Sequence, residues 1–364
     1  MHPAFTYIDF QANNRMRKIF IVFLVLASTI SSWSQTKVNT ISQGEQPQAS
    51  LDTKGVIRIV FGREYQIYCT TSTDQGLTFS NPVLVAEVPG MHLGMSRGPQ
   101  IASSDTHSVI TAMDKTGNIH WFELSSGAES WKAKGMVNDQ SGSTPEGLMS
   151  IAADKKDNFY AVWLDTRIGK RNQIYFSSHS KGGSKWSKNQ LAYQSPDEHV
   201  CECCKPSIAV NETEVAILFR NWLGGSRDLY FVKSSDSGKS FGNAQKLGMG
   251  TWKLDGCPMD GGGILIDDKK GIHTTWRREG VIYYSKPGAA EIKIGEGRNS
   301  SISGTSDNIL ITMQNGEAVK SVSMKDKYPL TVGKGSYLKS IVLTENKVLY
   351  IWEQDREIKF QKVE

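Results

Sequence analysis

A pair of short apolar stretches recurs seven times along the chain at one internal spacing. The first member reads "PQASL", "PQIAS", "MSIAA", "PSIAV", "GGILI", "SSISG" and "KSIVL" in turn. The second reads "IVFG", "TAMD", "AVWL", "ILFR", "TTWR", "ITMQ" and "YIWE". Take Ala49, Ile101, Ile151, Ile208, Ile264, Ile302 and Ile341 as the first centres, and Phe61, Met113, Trp163, Phe219, Trp276, Met313 and Trp352 as the second. The two are always eleven or twelve residues apart. A third stretch follows in most units, as in "QIYCTT", "NIHWFE", "QIYFSS", "DLYFVK", "VIYYSK" and "EIKFQK"; the sixth unit is weakest, with "EAVKSV". Runs of period two dominate and no helical period is sustained, which indicates an all-β chain.

Each unit therefore reads as a meander of three or four short antiparallel strands. Such a unit cannot bury both faces alone, whereas a ring of them can. The expected architecture is a β-propeller of seven blades, or six if the weak sixth unit is irregular. The last unit ends after three strands, and "TKVNTIS" near the start can supply its outer strand and remove two exposed edges.

The first 34 residues do not belong to this pattern. "RMRKIFIVFLVLASTISSWSQ" has a basic start (Arg15, Arg17, Lys18), an apolar run from Ile19 to Ala27, and small residues before Gln35. It reads as a secretory signal peptide over 1–34, with Met16 as an alternative start, followed by one propeller domain over 35–364. The apolar run falls short of the roughly 20 residues a spanning helix needs. Losing three basic side chains and one acidic one lowers the formal charge from +5 to +3. With no Lys/Arg block, nucleic acid is not an expected partner. The expected location is secreted or periplasmic, where disulfides are permitted. Nothing in the sequence signals an oligomeric state.

Two turns stand out. "STDQGLTF" carries Ser72, Asp74, Gly76 and Phe79, and "SSDSGKSF" carries Ser234, Asp236, Gly238 and Phe241. Both fit S-x-D-x-G-x-x-F: the Ser and Asp oxygens accept turn N–H groups, and Gly takes a positive φ. Weaker copies surround Trp131 and Trp186. These turns match the Asp-box, or BNR repeat, and the chain resembles the sialidase-like β-propeller superfamily over essentially its whole length after residue 34. The resemblance implies the fold, and places the Asp-box turns opposite the active face, so Asp74 and Asp236 are not catalytic candidates. Sialidases of that family clamp a carboxylate with three arginines and use a Tyr–Glu nucleophile pair and an Asp acid/base. Their first arginine lies in an Arg-Ile-Pro motif, which "QGEQPQASLDTKGVIRIVFGRE" lacks.

Sorting loops by the propeller rule collects a set of polar residues at one end. Arginines Arg63, Arg97, Arg167, Arg220 and Arg277 suit carboxylate, sulfate or phosphate recognition, with Trp222 and Trp252 as apolar faces. Asp165, Glu146 and Glu64 are the available carboxylates if the chain is a glycoside hydrolase of the exo-sialidase kind. The alternative is a non-catalytic propeller binding a carbohydrate, another anionic ligand or a protein.

"EHVCECCKP" places Cys201, Cys203 and Cys204 in the loop entering the fourth blade, and Cys257 lies in the loop entering the fifth. Two readings stay open: a disulfide joining Cys257 to one of the three, or a soft-metal site for Cu(I) or Zn(II) with His199 nearby. No motif requires a cofactor. Cys69 shares an apolar column with Trp121, Phe176, Phe231, Tyr284 and Phe360, and reads as a buried core thiol.

Overall fold

The computed structural model describes residues 37–364. They form seven four-stranded antiparallel sheets and no helix, a seven-bladed β-propeller. The expected signal segment lies outside the described residues. No helix among them is long and apolar enough to cross a membrane.

The innermost strands are Glu45–Leu51, Gln100–Ser103, Met149–Ala153, Ser207–Asn211, Gly263–Ile266, Arg298–Thr305 and Ser336–Thr344, in blades 1 to 7. Each pairs with the second stretch of its repeat: Ala49 opposite Ile59, Ile151 opposite Ala161, Ile341 opposite Leu349. The sixth unit is a regular blade, so the ring has seven.

Closure occurs where the terminal stretches meet. Asn39–Gln43 pairs antiparallel with Glu357–Val363, Asn39 facing Phe360, and completes blade 7. Deleting residues 37–43 is expected to lower the unfolding midpoint and promote aggregation through the bared edge of Glu357–Val363. Thermal scanning with light scattering reads both; an unchanged midpoint would show that closure does not depend on this strand.

The core is divided among the gaps between blades. Trp163 lies at 0% exposure among Trp121, Met113 and Tyr175, and Phe219 packs with Tyr160, Val162 and Leu164 of the preceding blade. Trp276, Met313, Trp352 and Phe61 likewise join the core shared with the preceding blade. Seven such clusters follow one another round the ring, so each large second-strand residue is a wedge between blades. Cys69 is one of these core groups, its thiol pushed up to about 12 by burial.

The two S-x-D-x-G-x-x-F turns hold themselves together as their chemistry suggests. Ser72 Oγ donates to Asp74 (2.7 Å) and accepts from Gly76 N (2.9 Å), while Asp74 takes the Leu77 and Thr78 amides. The Thr78 hydroxyl and amide hold the Asp74 carboxyl down at about 2. Ser234, Asp236 and Gly238 repeat the pattern. Gly238 sits at φ 80°, and an added Cβ would run into the Phe176 ring. The aromatic residue of each turn packs edge-on against the preceding blade, Phe79 on Phe360 at 4.9 Å and Phe241 on Phe176 at 5.1 Å. These turns brace the outside of the ring.

Candidate functional site

The seven residues that centre the first strands, Ala49, Ile101, Ile151, Ile208, Ile264, Ile302 and Ile341, all line one axial cavity of about 350 Å³. Their recurrence thus has a second meaning: they form an apolar girdle round the axis. Just before them in six of the seven blades come polar residues, Gln46, Gln100, Lys205, Asp260, Asn299 and Lys339, which line the same cavity. The polar end of the tunnel is therefore the end where the blade-to-blade loops enter.

Backbone geometry there departs from regular strand. Gln46, Asn299 and Tyr337 adopt φ of 58°, 54° and 57°, each within a register shift of an innermost strand. Left-handed conformations at non-glycine residues cost of order 1–3 kcal/mol each and cluster at functional sites; bulges re-aim side chains. Gln46 is held by its amide donating to Glu353 (2.9 Å), and Asn299 by its amide donating to Asp260 (2.8 Å).

Two ammonium groups project into this tunnel. Lys205 Nζ donates to Gln100 Oε1 at 2.6 Å. Lys339 Nζ has no protein hydrogen-bond acceptor among the described residues. Burial, and then the charge of Lys339, hold Lys205 well below the usual lysine range. Burial brings Lys339 to about 8 against the opposing pull of Asp260. A negative charge entering the tunnel would favour the protonated form of both lysines.

The arginines of this end are largely engaged within the protein. Arg220, 1% exposed, donates to the carbonyls of Asp260 (3.0 Å), Arg227 (2.6 Å) and Arg277 (2.9 Å), and lies over Trp252. Arg167 is held by Asp165 and Asp139, each at 2.8 Å, and stacks on Tyr175. Arg63 donates to Ser42 and the Gln43 carbonyl, and lies over Tyr68. Arg277 lies 5.8 Å from the buried Trp252 ring. Arg97 donates to the Glu146 carbonyl at 2.5 Å and faces its carboxylate at 3.7 Å. Trp222 carries Arg227 on its ring and stacks on His199.

Among the carboxylates, Asp165 is wholly buried and fully occupied by Ser143, Trp163 and Arg167. Glu64 is exposed on the turn after the second strand of blade 1. Glu146 differs: burial pushes its carboxyl up, Arg97 and Asn172 oppose, and the nearby Glu202 adds to the rise. Glu202 also meets His199 Nε2 (3.1 Å) and Arg227 (3.5 Å). The Glu146–Glu202 neighbourhood escaped the reading of the sequence, since Glu202 was passed over inside the cysteine motif.

The four cysteines of the two loops converge. Cys203 and Cys257 are joined as a disulfide, while Cys201 and Cys204 are buried thiols with sulfurs 3.0 Å apart. Cys201 Sγ lies 3.7 Å from Cys203 Sγ and receives Arg227 Nη1 at 3.2 Å. Burial raises the Cys201 thiol, but Cys204, Arg220 and Arg227 more than offset it and bring it to about 7; burial pushes Cys204 up. His199 is turned to Glu202 and Trp222.

No family model matches the chain, and no curated protein matches it in sequence. Solved structures do match its fold. The chain is similar to a polysaccharide lyase of the PL25 ulvan lyase family bound to -[GlcA(1-4)Rha3S]-, with TM-score 0.54 and 11% identity over 89% of this chain and 94% of that one. It is also similar to SapL1 lectin in complex with alpha methyl fucoside, with TM-score 0.51 and 10% identity over 81% and 97%. A third is a catalytically inactive variant of virginiamycin B lyase from Staphylococcus aureus with quinupristin, with TM-score 0.52 and 10% identity over 90% and 99%. At such identities the likeness is one of β-propeller fold, and of these three the lectin and the polysaccharide lyase bind or process glycans.

Proposed function

We propose that this chain is an exported propeller that binds an anionic saccharide at the polar mouth of its axial tunnel. The observation that carries the reading is the pair Lys205 and Lys339, projecting into a cavity of about 350 Å³ beside Gln46, Gln100 and Asn299. The ammonium groups would meet a uronate or sulfate, the amides would meet hydroxyls, and the isoleucine girdle would take the apolar face of a sugar ring. Arg97 and Glu146, paired at 3.7 Å, would form the rim. The lectin and the polysaccharide lyase with a glucuronate- and sulfate-bearing ligand share this fold, which supports the class of ligand. The expected signal peptide over 1–34 would deliver the chain to where such polymers occur.

Calorimetry with uronate- or sulfate-bearing oligosaccharides, against neutral ones of equal length, tests the reading. Wild type is expected to bind the acidic set, and Lys339→Met to lose roughly 30-fold, the equivalent of about 2 kcal/mol. Equal binding of neutral and acidic chains, or none of either, would sink it.

A catalytic version has one observation in its favour, the raised carboxyl of Glu146 beside Glu202. A general acid needs a raised pKa next to a second carboxylate. Incubation of the same oligosaccharides with wild type and Glu146→Gln separates the versions. Turnover that falls at least roughly 100-fold in Glu146→Gln supports the acid; binding without turnover leaves a lectin.

A further inference from the structure

The charges around the cysteine cluster ask for something the two loops do not themselves supply. Arg220 is 1% exposed and binds three backbone carbonyls, but no carboxylate lies within ion-pair distance of it among the described residues. Arg227 points Nη1 at Cys201 Sγ, 3.2 Å away, and shares only a 3.5 Å contact with Glu202. A buried guanidinium needs a compensating negative charge nearby. The groups placed to carry it are sulfurs: Cys201 and Cys204 at 3.0 Å from each other, and Cys203 at 3.7 Å from Cys201. Glu202 offsets Arg227 in part, while neutral sulfurs would leave Arg220 uncompensated. Thiolates would compensate them, but thiolates this close repel one another unless a cation sits between them.

We propose that Cys201, Cys203, Cys204 and Cys257, with the Cys203–Cys257 link reduced, hold one Zn(II) ion as a four-thiolate complex neutralised by Arg220 and Arg227. Four thiolates and a dication leave a charge of −2, which the two guanidiniums cancel. Sulfurs round a tetrahedral zinc stand about 3.8 Å apart, given Zn–S of about 2.3 Å; Cys201 and Cys203 already have that spacing, Cys204 must move outward from 3.0 Å, and the reduced Cys203 and Cys257 must part from bonding distance. Cys257 and its neighbours Asp255 and Gly256 are exposed and offer the way in.

The chemistry balances with one co-reactant. A dithiol reductant of the exported compartment gives two electrons and two protons to the Cys203–Cys257 bond and is itself oxidised to a disulfide. The four thiols then release four protons as zinc binds. Reoxidation by a disulfide oxidant of that compartment, which takes the two electrons and is itself reduced to a dithiol, re-forms the Cys203–Cys257 bond, removes two ligands and frees the ion, so occupancy follows the redox state. The site is separate from the tunnel, although Lys205 follows Cys204 directly in the chain.

The test uses the propeller reduced anaerobically with a phosphine, then titrated with Zn(II) and with Co(II). Expected is about one ion per chain, with Co(II) giving sulfur-to-metal charge transfer in the near ultraviolet and the strong visible bands of a tetrahedral site. Cys201→Ser and Cys204→Ser should each abolish that spectrum. Arg227→Gln, which keeps all four sulfurs, should bind zinc roughly 10-fold more weakly. Cys69→Ala and Lys205→Met should bind as wild type does, which keeps this result independent of the saccharide reading. Circular dichroism checks that each variant is folded. The proposal is overturned if reduced, folded wild type takes up no ion, or if the Cys201→Ser/Cys204→Ser double variant takes up as much. Uptake of Cu(I) with no zinc overturns the zinc assignment.

Discussion

Replacing Asp165 by alanine is expected to destabilise the fold by about 3 kcal/mol, the lower end for breaking a buried ion pair, while saccharide affinity changes less than about twofold. The carboxylate is at 0% exposure and accepts from Ser143 Oγ and Trp163 Nε1, each at 2.9 Å. It also accepts Arg167 Nε at 2.9 Å and Nη2 at 2.8 Å. Alanine would strand the indole N–H and leave Arg167 with the half-exposed Asp139 and with Asn189 Oδ1, which accepts from Nη2 at 3.1 Å. Asp139 and the Tyr175 ring retain part of the guanidinium's partnership, which is why the loss stays at the lower end. Chemical denaturation measures the stability change and calorimetry the affinity. A variant of native stability that no longer binds or turns over saccharide would return Asp165 to the list of catalytic groups.

The second large effect runs the other way. Lys205→Met/Lys339→Met is expected to gain about 1–3 kcal/mol of stability, since two buried amines, of which only Lys205 has a protein acceptor among the described residues, in Gln100, give way to apolar chains of similar volume, and to lose acidic-saccharide binding. Gain of stability with loss of ligand is the mark of residues kept for function. The pH dependence follows the same logic. Lys339 titrates at about 8 in the fold and about 10.4 when unfolded. Between these values the unfolded chain holds more protons, so wild-type stability should rise with pH through that window. Binding of an anion requires the protonated form, so affinity should fall as pH rises through about 8. Lys339→Met should flatten both trends. Binding that holds steady across roughly pH 7 to 9 would remove Lys339 from the site.

How much of this could be read beforehand divides by physical range. Strand alternation, turn chemistry and the spacing of Ile151 to Trp163 are properties of a dozen neighbouring residues, and they led directly to the blades. Closure by the segment before Gln43 was legible because an edge strand at one end needs a partner and only the other end was unassigned. The convergence of Cys257 with Cys201, Cys203 and Cys204 followed from the order of loops round a ring. The fate of the arginines did not. Arg220 and Arg277 look alike in "LFRN" and "TWRR", yet one binds three carbonyls in the interior and the other flanks Trp252. Lys205 closes a cysteine motif and Lys339 sits in an ordinary strand pattern, so neither stands out locally. The bulge at Tyr337 shifts the register just before Lys339, as those at Gln46 and Asn299 do in their own strands, and no local residue pattern announces them.

The amino-acid sequence by itself determined an all-β ring of repeated meanders and the braced turns. Each of these depends on periodicity and on contacts a few residues away. Tertiary structure decided which charges are already partnered and which face open space, because pairing joins residues of different blades, far apart along the chain. Arg220 and Lys205 are both basic residues at one end of one blade. The first donates to carbonyls of its own blade and of the next, the second lines a cavity, and that difference is why the proposed ligand site rests on the lysine.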